Sequence, residues 1–251
     1  MKQTCSSPTV AALALLLLLL TSASSAGTLE PPGPPAPTFK TLGEIEARQG
    51  IKANSDVIEA IVIDQPGSYY LLENITAIPD NNAITISAND VVLDLNGFTV
   101  AGNQEVSDGY GIEITGVNVT IRNGTVKHAD LGGIRCGSDA LVKLHDVNAI
   151  NNFGNGVSCS NMRVINGDFF GNQGIGIVGI SNHIEGVRAS SNSGAGVSMG
   201  GRSLLTRSLV NGNGTSGVFC VQGVSLVTQS IGSGNPDGNN FGCQAYDSYF
   251  P

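Results

Sequence analysis

The stretch Asn152-Phe153-Gly154-Asn155-Gly156-Val157-Ser158-Cys159 returns as Asn172-Gln173-Gly174-Ile175-Gly176-Ile177-Val178-Gly179. It returns again as Asn192-Ser193-Gly194-Ala195-Gly196-Val197-Ser198-Met199. With Gly156, Gly176 and Gly196 taken as heads, the pattern runs outward in both directions. Gly111-Ile112-Glu113-Ile114 and Gly133-Ile134-Arg135-Cys136 precede these copies. Gly217-Val218-Phe219-Cys220 follows, and Asn240-Phe241-Gly242-Cys243 reads as a last partial copy. Successive heads lie 22, 23, 20, 20, 21 and 23 residues apart.

Counting from each head exposes four apolar columns. The residue after the head is Ile112, Ile134, Val157, Ile177, Val197, Val218 or Phe241. Two further on from that residue come Ile114, Cys136, Cys159, Gly179, Met199, Cys220 and Cys243. Twelve before the head stand Ile121, Leu144, Val164, Ile184 and Leu205, and seven before it stand Val126, Ala149, Phe169, Ala189 and Val210. These residues lie on short segments that alternate apolar with other residues, the period of a strand. Gly and Asn punctuate the segments where the chain must turn. A coil this short cannot bury its apolar side alone, but coils stacked about 4.8 Å apart share one continuous core. The sequence shows neither a helical period nor a Leu-x-x-Leu-x-Leu frame. The fold class is therefore all-β, a right-handed parallel β-helix of about seven coils. Four before the head, Asn152, Asn172, Asn192 and Asn213 form a column suited to a hydrogen-bonded ladder.

The N-terminal side reads differently. Lys2, the apolar run Val10–Leu20 and the small residues Ser24-Ser25-Ala26 have the form of a secretory signal peptide over residues 1–26, with a run too short for a membrane span. Residues 27–40 hold Pro31-Pro32-Gly33-Pro34-Pro35-Ala36-Pro37, a stiff linker. Residues 41–82 read as an N-terminal cap: a short helix from the capping box Thr41-Leu42-Gly43-Glu44 through Arg48, then strands at Ile61–Ile63 and Tyr69–Leu72. The solenoid proper is expected over 83–251, starting with Ala83–Ile86 and Val91–Phe98, with a loop near Asn103–Asp108 interrupting the first coil. An extracytoplasmic location follows, with no stable membrane insertion.

The net charge is −8, which disfavours general binding of nucleic acid. Four cysteines remain after the leader: Cys136 and Cys159 in adjacent coils, and Cys220 and Cys243 likewise. Coil spacing puts each pair within disulfide range, while directly stacked Cβ atoms point alongside rather than at one another, so disulfides and buried thiols both stay open. No His enters that column, and no metal site is expected. Asn74, Asn118, Asn123 and Asn213 each begin an Asn-x-Thr sequon.

Gln65-Pro66-Gly67-Ser68-Tyr69-Tyr70-Leu71 with Asn74-Ile75-Thr76, followed by Val92-Leu93-Asp94-Leu95-Asn96-Gly97-Phe98, resembles the opening of secreted bacterial proteins of the pectin-lyase-like β-helix group. The resemblance covers roughly residues 38–250. It implies the fold and a polysaccharide-related role, since the group holds lyases, hydrolases and non-catalytic surface proteins. The group's catalytic motifs do not carry over. The Asn-Thr-Asp, Asp-Asp, Gly-His-Gly and Arg-Ile-Lys segments of polygalacturonases are absent, as is an acidic cluster of the kind that holds calcium in pectate lyases.

The outward columns supply the functional expectation. Thirteen before the head stand Thr120, Lys143, Arg163 and His183; eleven before it stand Arg122, His145, Ile165 and Glu185. Lys143, Arg163 and His183, flanked by Arg122 and His145, form a basic ladder on an acidic chain, matched to the repeating anions of an acidic polysaccharide. The expected function is a non-catalytic surface or polysaccharide-associated module without a cofactor. A small uronate lyase, with Arg163 or Lys143 as base and calcium as its cofactor, is one alternative; a purely structural cell-contact protein is another. The balancing reading of the ladder is a solvated face neutralised by Asp168, Glu185 and nearby acids. Two stacked pairs, Glu113 with Arg135 and Asp168 with Arg188, read as surface ion pairs worth under about 1 kcal/mol.

Overall fold

The structure, a computed structural model, describes residues 47–53, 60–103, 109–221 and 225–250. The leader, the linker, the cap helix up to residue 46 and the 104–108 part of the loop lie outside the described residues. Ala47 and Arg48 are not helical, and Arg48 leads directly into the strand Gln49–Ile51.

Two parallel sheets form the walls of a right-handed parallel β-helix of about eight coils. The narrow wall stacks nine strands, from Ile61–Ile63 to Asn240–Phe241, and the broad wall has fourteen. The extra coil relative to the sequence count comes from Ile61–Thr76, which has no Gly head. Its strands nevertheless pair in register: Ile61 with Ile84, Tyr69 with Leu93, and Ile75 with Val100.

The broad wall is bent along its length, so that each coil has three sides. The bend is a column of left-handed residues, one per coil: Asn96, Asn123, Asp146, Asn166, Gly186, Arg207, Gln229 and Asp247, with φ between +47° and +67°. Asn, Asp and Gly tolerate this conformation best, which explains the residue types at the turns.

The four apolar columns all point inward. Ile121, Leu144, Val164, Ile184 and Leu205 are paired in succession and fully buried, as are Val126, Ala149, Phe169, Ala189 and Val210. β-Branched and large aliphatic side chains fit such stacked, pleated surfaces, and each contributes about 1.5–3 kcal/mol when fully buried. The Gly heads have a steric cause. A Cβ on Gly133, Gly156 or Gly176 would lie 2.5 Å from the next coil's backbone oxygen and 2.8 Å from a ladder amide.

That ladder is formed as expected and gains a member. The Nδ2 of Asn152 donates to Oδ1 of Asn172 (2.9 Å), Asn172 to Asn192 (2.9 Å), Asn192 to Asn213 (3.0 Å) and Asn213 to Asn235 (3.0 Å). Each Oδ1 also accepts the backbone N–H of the preceding Asn. Every ladder Asn is buried. Asn213 is thus closed to glycosylation, despite its sequon. A column of serines, Ser208, Ser230 and Ser248, continues the inter-coil bonding: each hydroxyl accepts a backbone N–H from the preceding coil and donates to a carbonyl two residues back.

Both cysteine pairs are disulfides, Cys136–Cys159 and Cys220–Cys243, with Cα atoms 4.9 and 5.2 Å apart. The open alternative closes in favour of bonded pairs, which suit an oxidising compartment. The last copy is shifted by one residue from its expected alignment: Val218 faces Asn240, and Phe219 faces Phe241. The amide of Asn239 accepts from both N and Nδ2 of Asn235 (3.3 and 2.6 Å) and ends the Asn ladder.

Candidate functional site

The broad wall presents its first half to solvent as two outward columns. Strands Val119–Lys127, Val142–Ile150, Arg163–Phe170 and His183–Ser190 hold these columns in register because their inward neighbours are locked in the core. Thr120 faces Lys143, Lys143 faces Arg163, Arg163 faces His183, and His183 faces Leu204. Lys143, Arg163 and His183 therefore sit on successive coils, with side chains directed outward.

Lys143, Arg163 and His183 line one side of a shallow groove of about 510 Å³ that crosses the coils. The turn residues Asn118, Leu141, Asn161, Ser181 and Arg202 line the other side. Arg202 is a cation that column counting missed. It stands in the turn entering the strand, fifteen before the head, at the same offset as Asn118, Leu141, Asn161 and Ser181, a column the counting did not take up.

The charges around the groove are not balanced as a solvated face would be. Arg188 takes Asp168 through two bonds, Nε to Oδ1 at 3.0 Å and Nη2 to Oδ2 at 2.8 Å. Glu185 is paired with Arg207, and its Oε2 also lies 3.6 Å from Nε2 of His183. Lys143, Arg163 and Arg202 have no carboxylate partner among the described residues. Their side chains are exposed, so the groove keeps a net positive field on an acidic chain.

His183 adds a titratable group. Partial burial lowers its pKa first, and the cations Arg163 and Arg207 lower it further. The imidazole is therefore neutral at neutral pH and becomes a further groove cation as pH falls.

Arg122 and His145 stand together in the next outward column and do not line the groove. The Arg122 guanidinium is bound to Asp94 at 3.0 Å, with Arg48 at 3.7 Å from the same carboxylate. Burial opposes the charge on Asp94. The N–H of Asn96, the amide of Asn123 and Arg122 outweigh it and hold the carboxyl below its usual range. This cluster ties the first coils together.

Among the described residues no group of three or more His, Cys, Asp or Glu is arranged to hold a metal ion. Nor is any helix among them long and apolar enough to cross a membrane.

No family model matches the chain, and no curated protein matches it. Among solved structures, it is similar to full-length tailspike protein 2 of a bacteriophage of Escherichia coli O157:H7. The identity is 13%, the TM-score 0.55, and the match covers 74% of this chain and 34% of that one. The enzymatically active domain of the same tailspike matches at 14% identity and a TM-score of 0.50, over 74% and 43% of the two chains. The pectate lyase Pel9A matches at 17% identity and a TM-score of 0.44, over 73% and 52%. This chain thus spans a third to a half of the length of these neighbours. At such identities the tailspike likeness establishes the fold, in agreement with the pectin-lyase-like β-helix class read from the sequence.

Proposed function

We propose that this protein is an extracytoplasmic β-helix module that binds an acidic polysaccharide along the broad wall without cleaving it. One observation carries the reading: Lys143, Arg163 and Arg202 lie unneutralised along one groove of a chain with net charge −8. A solvated face would have settled these cations against nearby acids, but those acids are taken by Arg188 and Arg207. The groove runs across stacked coils, with Lys143 and Arg163 about 4.8 Å apart on adjacent coils and Arg202 two coils further on, an array suited to a polymer bearing repeated anions. Binding is favoured over hydrolysis because the described lining residues supply cations, amides and aliphatic groups but no carboxylate pair. The reading calls for no cofactor, and the disulfides fit export.

The test is retention on immobilised pectate, alginate and sulfated glycans. Replacing Lys143, Arg163 and Arg202 together by Gln should weaken retention by roughly 100-fold, each charge-assisted contact contributing about 1 kcal/mol. Thermal stability should stay unchanged, because no partner is orphaned. Unchanged retention would remove the proposal. Release of unsaturated or reducing ends by the native protein would replace it with a catalytic one.

A further inference from the structure

A second depression, of about 480 Å³, lies at the bend of the broad wall. It is lined by Asp168, Arg188, Arg207, Leu209, Gln229 and Ile231, together with backbone of the bend. Two features set it apart.

The first is strain. The bend column is otherwise Asn, Asp or Gly, yet two adjacent coils place Arg207 and Gln229 there, both at φ +49°. Long side chains without an Asn-like local hydrogen bond are uncommon in this conformation. Strain of this kind persists where the side chain has a use, and both exceptions line the same depression.

The second is charge. Unlike the groove, the depression is balanced: Arg188 is bound to Asp168, and Arg207 to Glu185. Of the other polar side chains in the lining, Ser208 is buried with its hydroxyl bonded to backbone, and Gln229 is exposed. Beside it, Leu209 and Ile231 are exposed and paired in register, giving an apolar strip. Fixed donor and acceptor groups with no net charge, next to an aliphatic strip, match the hydroxyl edge and C–H face of a pyranose.

We infer that the bend depression is a separate subsite for an uncharged hexopyranose unit, with Arg207 and Gln229 as its hydroxyl-binding residues. It does not depend on the groove being an anion site. The two sites differ in their salt response, because salt screens ionic contacts and leaves neutral ones largely intact.

The experiment is an array of neutral oligosaccharides read with the full-length protein in low and high salt, followed by titration of the best binder. Native protein should bind at least one neutral glycan, with affinity unchanged by salt. The Arg207→Asn/Gln229→Asn variant places residues suited to the left-handed bend. It relieves the bend but gives up the Arg207–Glu185 ion pair, so it should fold and melt near the native temperature, and bind that glycan at least about tenfold more weakly, from the loss of two or more hydrogen bonds. Absence of neutral binders, binding that disappears in high salt, or a variant that binds within twofold of native would each overturn the inference. If acidic glycans are retained while the neutral array is blank, this subsite fails and the groove stands.

Discussion

Two columns of polar side chains climb the same solenoid and meet opposite fates. The Asn152–Asn235 ladder points inward, and every amide finds its partners one coil away. The Lys143–Arg163–His183 ladder points outward: Lys143 and Arg163 stack as like charges with no carboxylate partner among the described residues, next to the His183 imidazole. Stacking serves amides because each carries both a donor and an acceptor. It penalises cations, which carry donors alone. A self-satisfying column is a structural device, whereas a column that cannot satisfy itself needs something from outside.

The sharpest way to break this comparison is to interrupt the inner ladder. Asn192→Ala removes the acceptor for both the backbone N–H and the side-chain amide of Asn172, and the donor to the carbonyl of Phe169, all buried. Leaving two or three buried groups unsatisfied should cost roughly 3–5 kcal/mol in urea unfolding. A loss below about 1 kcal/mol would mean that water replaces the amide and that the ladder is not a structural device.

The two columns were not equally legible in the sequence. The inner one follows from counting, because a core position tolerates no change of register: Asn152, Asn172, Asn192 and Asn213 recur at one offset from the head. Asn235 escaped because the last copy reads with Asn240 as its head, whereas Asn240 pairs with Val218, so Asn235 lies five and not four before the assumed head. The outer column was also readable as far as His183, but its partners were not. The Asp168–Arg188 pair was readable from stacking, but the fate of Glu185 depends on side-chain direction across coils, and the structure shows that Arg207 claims it. Arg202 was missed for another reason: it recurs at a fixed offset, fifteen before the head, but the other members of that turn column, Asn118, Leu141, Asn161 and Ser181, carry no charge to draw attention to it. The strained bend residues Arg207 and Gln229 carry no sequence signal except that they stand where other coils have Asn, Asp or Gly.

A finer division of the outer column comes from pH. The depressed His183 pKa, caused by burial and then by Arg163 and Arg207, means that the free protein resists protonation at this site. Stability from the neutral imidazole is present above the ordinary histidine value of 6.5 and is lost as pH falls below it. A bound polyanion reverses the sign, because it favours the imidazolium flanked by Arg163, Glu185, Arg202 and Arg207. Retention on dextran sulfate, whose charge is constant over this range, should therefore strengthen several-fold from pH 7.5 to pH 5. His183→Gln should flatten the rise. An identical slope in the variant would show that the groove does not sense this histidine.

The smallest effect is expected where an outward pair is already satisfied. On the narrow wall Arg135 donates to Glu113 at 2.8 Å and lies over the ring of Tyr110, 5.2 Å from its centroid. Both groups are substantially solvated, so the pair returns little beyond what water offers. Arg135→Met should change unfolding stability by under about 1 kcal/mol and leave glycan retention unchanged. Glu113 keeps the amide of Asn82 at 2.8 Å, so no buried charge is exposed by the change. A larger loss would place narrow-wall ion pairs alongside the Asn ladder as structural devices. The rule that a column's role follows from whether it satisfies itself would then hold only for the broad wall.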